Sequence, residues 1–503
     1  MEFWPYLVLY ALALWLAFDL LQERRNPKST IAWIIALLAI PFIGVPLYYA
    51  FGKNRIKGLM RRRAFFDQHA LLPHTHTSED LVRQPAIRNN LAEISELLDQ
   101  KDGSQGLPPP AALKDFACTF GRFGELYDPS LNSVDLLVDG EETFREIFKV
   151  LTAAKKYILV QYYILRSDRL GLELQKLLIA KAKSGVAVYV LYDDIGSFNL
   201  SNAYVRDLKA NGISVASFLP IHSWKRGLQL NFRNHRKLVV VDGVDALTGG
   251  LNFGEEYVSG LPIFGRRNHA RWRDTHIRIT GPAVGKLEDI FFDDWHFATG
   301  DSLEVTLRSN PQPELGVRGG DIVQVIPSAP TDEALVGVLL YMLTIQKAQK
   351  RLWIATPYFV PDTPLTRELE LCALRGVDIR LLLPRKSDNP LVHWVGVTYA
   401  DKLREAGVRV LFYEPGFMHQ KVVLVDDDLC LIGTTNFDNR ALYLNFETTL
   451  AIHGAAFCRK VAAMLTIDMA ESSDSAENTN SSKFARFIHH QKENLSRLLA
   501  PLL

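Results

Sequence analysis

His235-Arg-Lys-Leu-Val-Val-Val-Asp242, followed by Gly249-Gly-Leu-Asn252, returns at the same spacing as His419-Gln-Lys-Val-Val-Leu-Val-Asp426, followed by Gly433-Thr-Thr-Asn436. A single His-x-Lys-x4-Asp stretch is a weak match that any long chain shows by chance; a duplicated one with duplicated Gly-x-x-Asn is not. The four apolar residues after each lysine predict a buried strand. On a strand, positions i and i+2 share a face, so His235 projects with Lys237 and His419 with Lys421, while Asp242 and Asp426 fall on the opposite face. Asp242-Gly243 reads as a turn into a further strand from Asp245 to Thr248. All six residues are candidates for the site; the histidines and lysines are expected to do the chemistry and the aspartates to hold the scaffold.

Outward from these stretches the duplication extends over most of the chain. Lys155 to Ile164 is echoed by Lys350 to Phe359, Ser184 to Tyr192 by Arg375 to Leu383, and Leu208 to Val215 by Leu403 to Val410. Strand-like runs alternate with helix-like ones, the order of an α/β layer fold. Two similar α/β halves, 129–300 and 323–470, are therefore expected to pack about a pseudo-twofold axis, joined by a linker at 301–322.

The chain has 503 residues, beyond what one hydrophobic core usually supports. Its 57 Lys plus Arg nearly cancel its 56 Asp plus Glu, which speaks against a wholly basic nucleic-acid binder and against an acidic disordered chain. Hydrophobic residues concentrate in the first 52. Phe3 to Phe18 and Thr30 to Phe51 approach the roughly 20 residues a membrane helix needs, and Trp4, Tyr6, Trp33, Tyr48 and Tyr49 suit the interface. Residues 1–52 are expected to form a transmembrane hairpin. The rival is a re-entrant pair, because Pro41 and Pro46 each remove a helical hydrogen bond. The basic run Lys53 to Arg63 outweighs Arg24, Arg25 and Lys28, placing the catalytic part in the cytoplasm. Residues 53–128 read as a basic juxtamembrane connector, and 471–503 as an acidic linker followed by an amphipathic helix. The clusters Lys225, Arg226, Arg233, Arg236 and Arg266, Arg267, Arg271, Arg273 read as a solvated charged face or as a landing surface for anionic headgroups. Four scattered cysteines fit neither a disulfide framework nor a zinc spacing and suit a reducing compartment.

The paired His-Lys-Asp stretches resemble those of the phospholipase D superfamily. The apolar amino terminus, Gly433-Thr-Thr-Asn-Phe-Asp-Asn-Arg440, Leu444-Asn-Phe-Glu447, Trp272-Arg-Asp-Thr-His276 and the tail Glu493 to Leu503 resemble, within it, the bacterial cardiolipin synthases. Gly250 and Thr434 depart from the superfamily pattern, which has serine after the glycine. The resemblance implies a site between the halves, His235 as nucleophile through a phosphohistidine, and His419 as general acid and then base. It also implies Lys237, Lys421, Asn252 and Asn436 as phosphate-binding groups. Glu447 is the candidate to orient His419, and Glu255 or Glu256 to orient His235. No cofactor or metal is expected.

The reaction so implied is phosphatidyl transfer in the bacterial inner membrane. One phosphatidylglycerol donates to another, giving cardiolipin and glycerol. Phosphatidylethanolamine as co-substrate and a homo-oligomeric assembly stay open. The alternatives are a hydrolytic phospholipase D, a membrane-tethered nuclease and a non-catalytic lipid binder. No basic region with interleaved aromatics supports stacking on nucleic acid, so none is expected as a partner.

Overall fold

The structure is a computed structural model and describes residues 4–22, 27–52, 88–96, 111–220, 231–259, 271–303, 307, 320–332 and 334–474. Its centre is a single 16-stranded sheet in which the duplication is laid out strand by strand. From the middle outward the first half contributes Ser130–Val138, Thr275–Thr280, Asp245–Gly249, Leu238–Val241, Tyr157–Tyr162, Ala187–Asp193 and Ser214–Phe218. The second contributes, in the same relative order, Asp321–Ser328, Asn445–His453, Leu429–Gly433, Val422–Val425, Arg351–Ala355, Asp378–Pro384 and Arg409–Tyr413. The halves join where Ser130, Leu131 and Asn132 pair antiparallel with Val323, Ile322 and Asp321.

Every residue of Leu238–Val241 and of Val422–Val425 is buried, because helices cover both faces of the sheet. On one face the helix Ala283–Thr299 and its counterpart Ala455–Ala470 share one core that crosses from half to half, with Leu287, Phe291 and Val240 in the same cluster as Leu424, Val461 and Leu465. Leu287, Ile290, Phe291, Ala283 and Val284 recur at helical spacing on the covered side of their helix. Each fully buried side chain of this size contributes about 1.5–3 kcal/mol. On the other face each half has its own core.

Three boundaries differ from the sequence reading. The connector, expected to hold some helix, is tied into the core before residue 128: its helix Ala111–Phe120 inserts Phe116 and Phe120 into the outer core of the second half. Ser472–Ser473, expected in the acidic linker, pair antiparallel with Tyr413 and Phe412. The second amino-terminal stretch is not one helix. It breaks at Ile40 between Pro27–Ala39 and Pro41–Leu47, and ends in a π turn at Tyr48–Gly52.

Pro41 starts the new helix because its ring cannot continue the old one. The pieces fold closely together at Gly44, where a Cβ would stand 2.2 Å from the Ala36 carbonyl oxygen. Ala13, Leu16 and Leu20 of Trp4–Gln22 pack against Leu37, Val45 and Tyr48. Among the described residues, no helix is long and apolar enough to cross a membrane. Residues 4–22 and 27–52 form a folded-back helical cluster, whose outer side exposes Leu7, Leu14, Trp15, Phe18, Ile31, Ile35, Phe42 and Ile43. The basic run Lys53 to Arg63 and the amphipathic helix expected after 482 lie outside the described residues.

Candidate active site

Each His-x-Lys stretch enters its strand from a short segment that pairs with the other half. Arg233 and Asn234 pair with Asn445 and Phe446, and the backbone N–H of His235 donates to the Phe446 carbonyl at 2.9 Å. Reciprocally, Gly416–Met418 pairs with Arg271–Arg273, and the N–H of His419 donates to the Arg273 carbonyl at 2.8 Å. This register sets His235 beside Glu447 and His419 beside Asp274. His235 Nδ1 lies 3.0 Å from a Glu447 carboxylate oxygen, and His419 Nδ1 lies 2.7 Å from Asp274 Oδ2. With Nδ1–H donating to a carboxylate, the Nε2 lone pair of each neutral ring is left for chemistry.

The carboxylate assignment made from sequence is therefore corrected. Glu447 serves His235, not His419. Glu256 and Glu255 serve neither; they pair with Arg166 and Arg169. Asp274 was not among the candidates. The fold makes the two carboxylates equivalent: Asp274 and Glu447 each stand two residues ahead of the residue paired with the motif glycine, His276 opposite Gly249 and Thr449 opposite Gly433.

The departure at Gly250 now has a cause. Thr434 donates its hydroxyl to Glu447 Oε2 at 2.5 Å, whereas a Cβ at Gly250 would stand 2.0 Å from Asp274 Oδ1. The shorter aspartate occupies the room that a side chain at 250 would need. Gly250→Ser is expected to push Asp274 off His419 and cut turnover at least about 10-fold, the cost of one lost hydrogen bond to a charged group. Steady-state kinetics beside Thr434→Ser, expected to stay near wild type, checks this.

Lys237 donates to the His235 carbonyl at 2.6 Å, and Lys421 Nζ lies 2.9 Å from His419 Nδ1 and 3.2 Å from Nε2. Asn252 accepts from the Ile164 N–H and donates to the Tyr257 hydroxyl; Asn436 donates to Asp438. Asp242 and Asp426 are at the far ends of the motif strands, as parity predicts. Their carboxylates accept from the N–H groups of Lys155, Lys156 and Tyr157, and of Gln349, Lys350 and Arg351. Both adopt left-handed backbone, φ 55° and 48°, at the turns that end the strands. Both thus bind backbone rather than the histidines, the scaffold role expected of them; their place among the site candidates is withdrawn.

Of the basic clusters, Arg233, Arg236 and Arg273 are buried rather than solvated. Arg236 pairs with Asp294, and Arg273 reaches across to Asp468. Lys225, Arg226, Arg266 and Arg267 lie outside the described residues.

Burial sets the protonation of the empty site. It pushes His235 down to about 4, opposed by Glu447, and His419 well below its usual value, with Lys421 adding to the fall. It lowers Lys421 to about 8 and Lys237 further, and raises Asp274 to about 6 against the pull of Lys421. Burial would also raise Glu447, but the charge of His235 and its hydrogen bond hold it below the ordinary value. Burial thus disfavours the charged forms of both lysines and both imidazoles, and an arriving phosphodiester anion favours the charged lysines and the protonated acid.

The family described as "Cardiolipin synthase, PLD-like domain" matches residues 147–269 and 341–468, one block in each half. "Phospholipase_D-nuclease N-terminal" matches 11–53. Cardiolipin synthase A of Pseudomonas syringae pv. syringae (strain B728a) is 38% identical over 487 residues, which are 97% of this chain and 95% of that protein. The chain belongs to the cardiolipin synthase family. Cardiolipin synthase 2 of Bacillus cereus, another member, is 35% identical over 96% of this chain and 88% of its own length. The crystal structure of phosphatidylserine synthase from Haemophilus influenzae Rd KW20 has the same fold, with a TM-score of 0.56 at 17% identity over 74% of this chain and 95% of that one. Membership of the cardiolipin synthase family brings the duplicated phospholipase D-like fold expected from the paired motifs.

Proposed function

We propose that the chain is a membrane-associated phosphatidyltransferase that makes cardiolipin from two molecules of phosphatidylglycerol. His235 Nε2 attacks the phosphorus of the first lipid; the bond to the headgroup glycerol breaks, and His419 gives that glycerol its proton. The primary hydroxyl of a second phosphatidylglycerol then yields its proton to His419, attacks the phosphorus and breaks the P–N bond. Cardiolipin leaves with His235 restored. Two displacements replace one difficult one. Lys237, Lys421, Asn252 and Asn436 face the charge that builds on the phosphoryl oxygens.

The observation that carries this reading is the reciprocal pairing of His235 with Glu447 and of His419 with Asp274, one carboxylate from each half. The two rings need opposite protonation states; burial and Lys421 oppose the charged form of His419, while Asp388 favours it. Transfer outruns hydrolysis where a buried site meets a surface rich in lipid alcohol. The folded-back amino-terminal cluster, with its exposed apolar side, would hold the catalytic halves at the cytoplasmic face of the inner membrane.

The test is mass spectrometry of the lipids formed by the full chain in vesicles of two isotopically distinct phosphatidylglycerols, without nucleotide. Mixed-label cardiolipin and free glycerol are expected. Phosphatidic acid as the main product would replace this reading with hydrolysis.

The lysines set a pH limit. Each must be charged to stabilise the phosphoryl oxygens, so activity is present below the lowered lysine value and lost above it. kcat/KM, which reports the free enzyme, should decline no later than about pH 8. An ordinary lysine would set that limit near about 10.4. kcat should decline at higher pH, because bound phosphodiester raises the lysines again. Coincident alkaline limbs for the two parameters would refute the assignment.

A further inference from the structure

The surroundings of the two histidines differ in a charged group to which the mechanism gives no contact with substrate. Each half places a tyrosine edge-on to its histidine, Tyr163 at 4.9 Å from His235 and Tyr358 at 6.4 Å from His419, between ring centroids. On the Tyr163 side, Asp193 at the end of its strand is buried and accepts from the N–H groups of Ile195, Gly196 and Asn234. The cations Arg440 and Arg233 also act on that tyrosine. Tyr358 instead donates its hydroxyl to Asp388, at 2.7 Å from Oδ1 and 2.8 Å from Oδ2. Asp388 is exposed, at the start of the turn before the helix Pro390–Glu405, and its charge reaches His419, Lys421 and Tyr257.

An exposed carboxylate beside a phosphodiester site repels the phosphate, so its presence there calls for a ligand group that it attracts. A carboxylate accepts hydrogen bonds and offers none. The alcohol that leaves and the alcohol that enters both pass His419, the side on which Asp388 stands. We infer that Asp388, held in place by the Tyr358 hydroxyl, accepts a hydrogen bond from the secondary hydroxyl of the headgroup glycerol and thereby selects a polyol as leaving group and acceptor. This rests on the transferase reading and adds the group that recognises its alcohol. The reacting primary hydroxyl is left to His419. Asp388 is a specificity residue and Tyr358 a positioning residue.

The experiment uses the full chain in phosphatidylglycerol vesicles supplied with equal concentrations of deuterated glycerol and 1-propanol. Mass spectrometry reads the ratio of deuterated phosphatidylglycerol to phosphatidylpropanol. Wild type is expected to favour glycerol. Asp388→Ala should lower that ratio about 10-fold or more, the loss expected for one hydrogen bond to a charged group. Asp388→Glu should recover part of it, and Tyr358→Phe should lower it by less than Asp388→Ala. Because each ratio is taken within one sample, a variant that merely folds less well leaves it unchanged. An unchanged ratio in Asp388→Ala overturns the inference. If wild type makes no cardiolipin in these vesicles, the transferase reading fails; if it does and the ratio does not move, only the role of Asp388 fails.

Discussion

Alanine at His235 or at His419 is expected to reduce cardiolipin formation by about 10³-fold or more, with the fold retained. Removing the nucleophile closes the covalent route altogether. Removing the acid and base slows both displacements, each by about 10²–10⁴-fold. The rings are almost entirely enclosed: His235 by Tyr163 of its own half and Glu447 of the other, His419 by Trp272, Tyr257 and Asp274 of the other half. Water has little access to substitute for either. Rapid quenching of wild-type turnover followed by peptide mass spectrometry should find the lipid phosphate on His235. Its appearance on His419 would reverse the two roles, and substantial synthesis by either alanine variant would end the two-histidine mechanism.

The carboxylates carry the second large effect. Asp274→Asn and Glu447→Gln keep the shape of each pair but remove the charge that holds Nδ1–H toward it, so each ring is free to take the wrong tautomer. A drop in kcat of about 10²-fold or more is expected for either, with KM little changed, because the loss is felt in the reacting state rather than in lipid binding. Glu256→Gln should stay close to wild type in turnover, since Glu256 ion-pairs with Arg166 rather than with a histidine. If Glu256→Gln matched the loss in Glu447→Gln, the reciprocal arrangement would be wrong.

These expectations separate into those a reader of the chain could have made and those that needed the fold. The strand after each lysine, the shared face of His235 and Lys237, and the turn role of Asp242 are all matters of period and turn chemistry over a few residues. They follow from the pleat of a strand alone. The six repeated segments likewise show a duplicated unit, while the order of its strands in the sheet comes from the fold. The amino terminus shows the limit of the same approach: composition located an apolar segment, yet the break at Ile40 and the close approach at Gly44 come from packing of helix on helix.

Local spacing determined that this protein has two equivalent His-Lys units on buried strands of a duplicated α/β fold, and the residues resembling the family named its chemistry. Only the tertiary structure decided which carboxylate serves which histidine, because Glu447 and His235 are 212 positions apart and Asp274 and His419 are 145 apart. Each half completes the other through short paired segments, Arg233–Asn234 on Asn445–His453 and Gly416–Met418 on Arg271–Arg273. A pattern within one half carries no record of that exchange. Sequence spacing reports which side chains share a face; which faces meet is set by how the two sheets join and bury their common core.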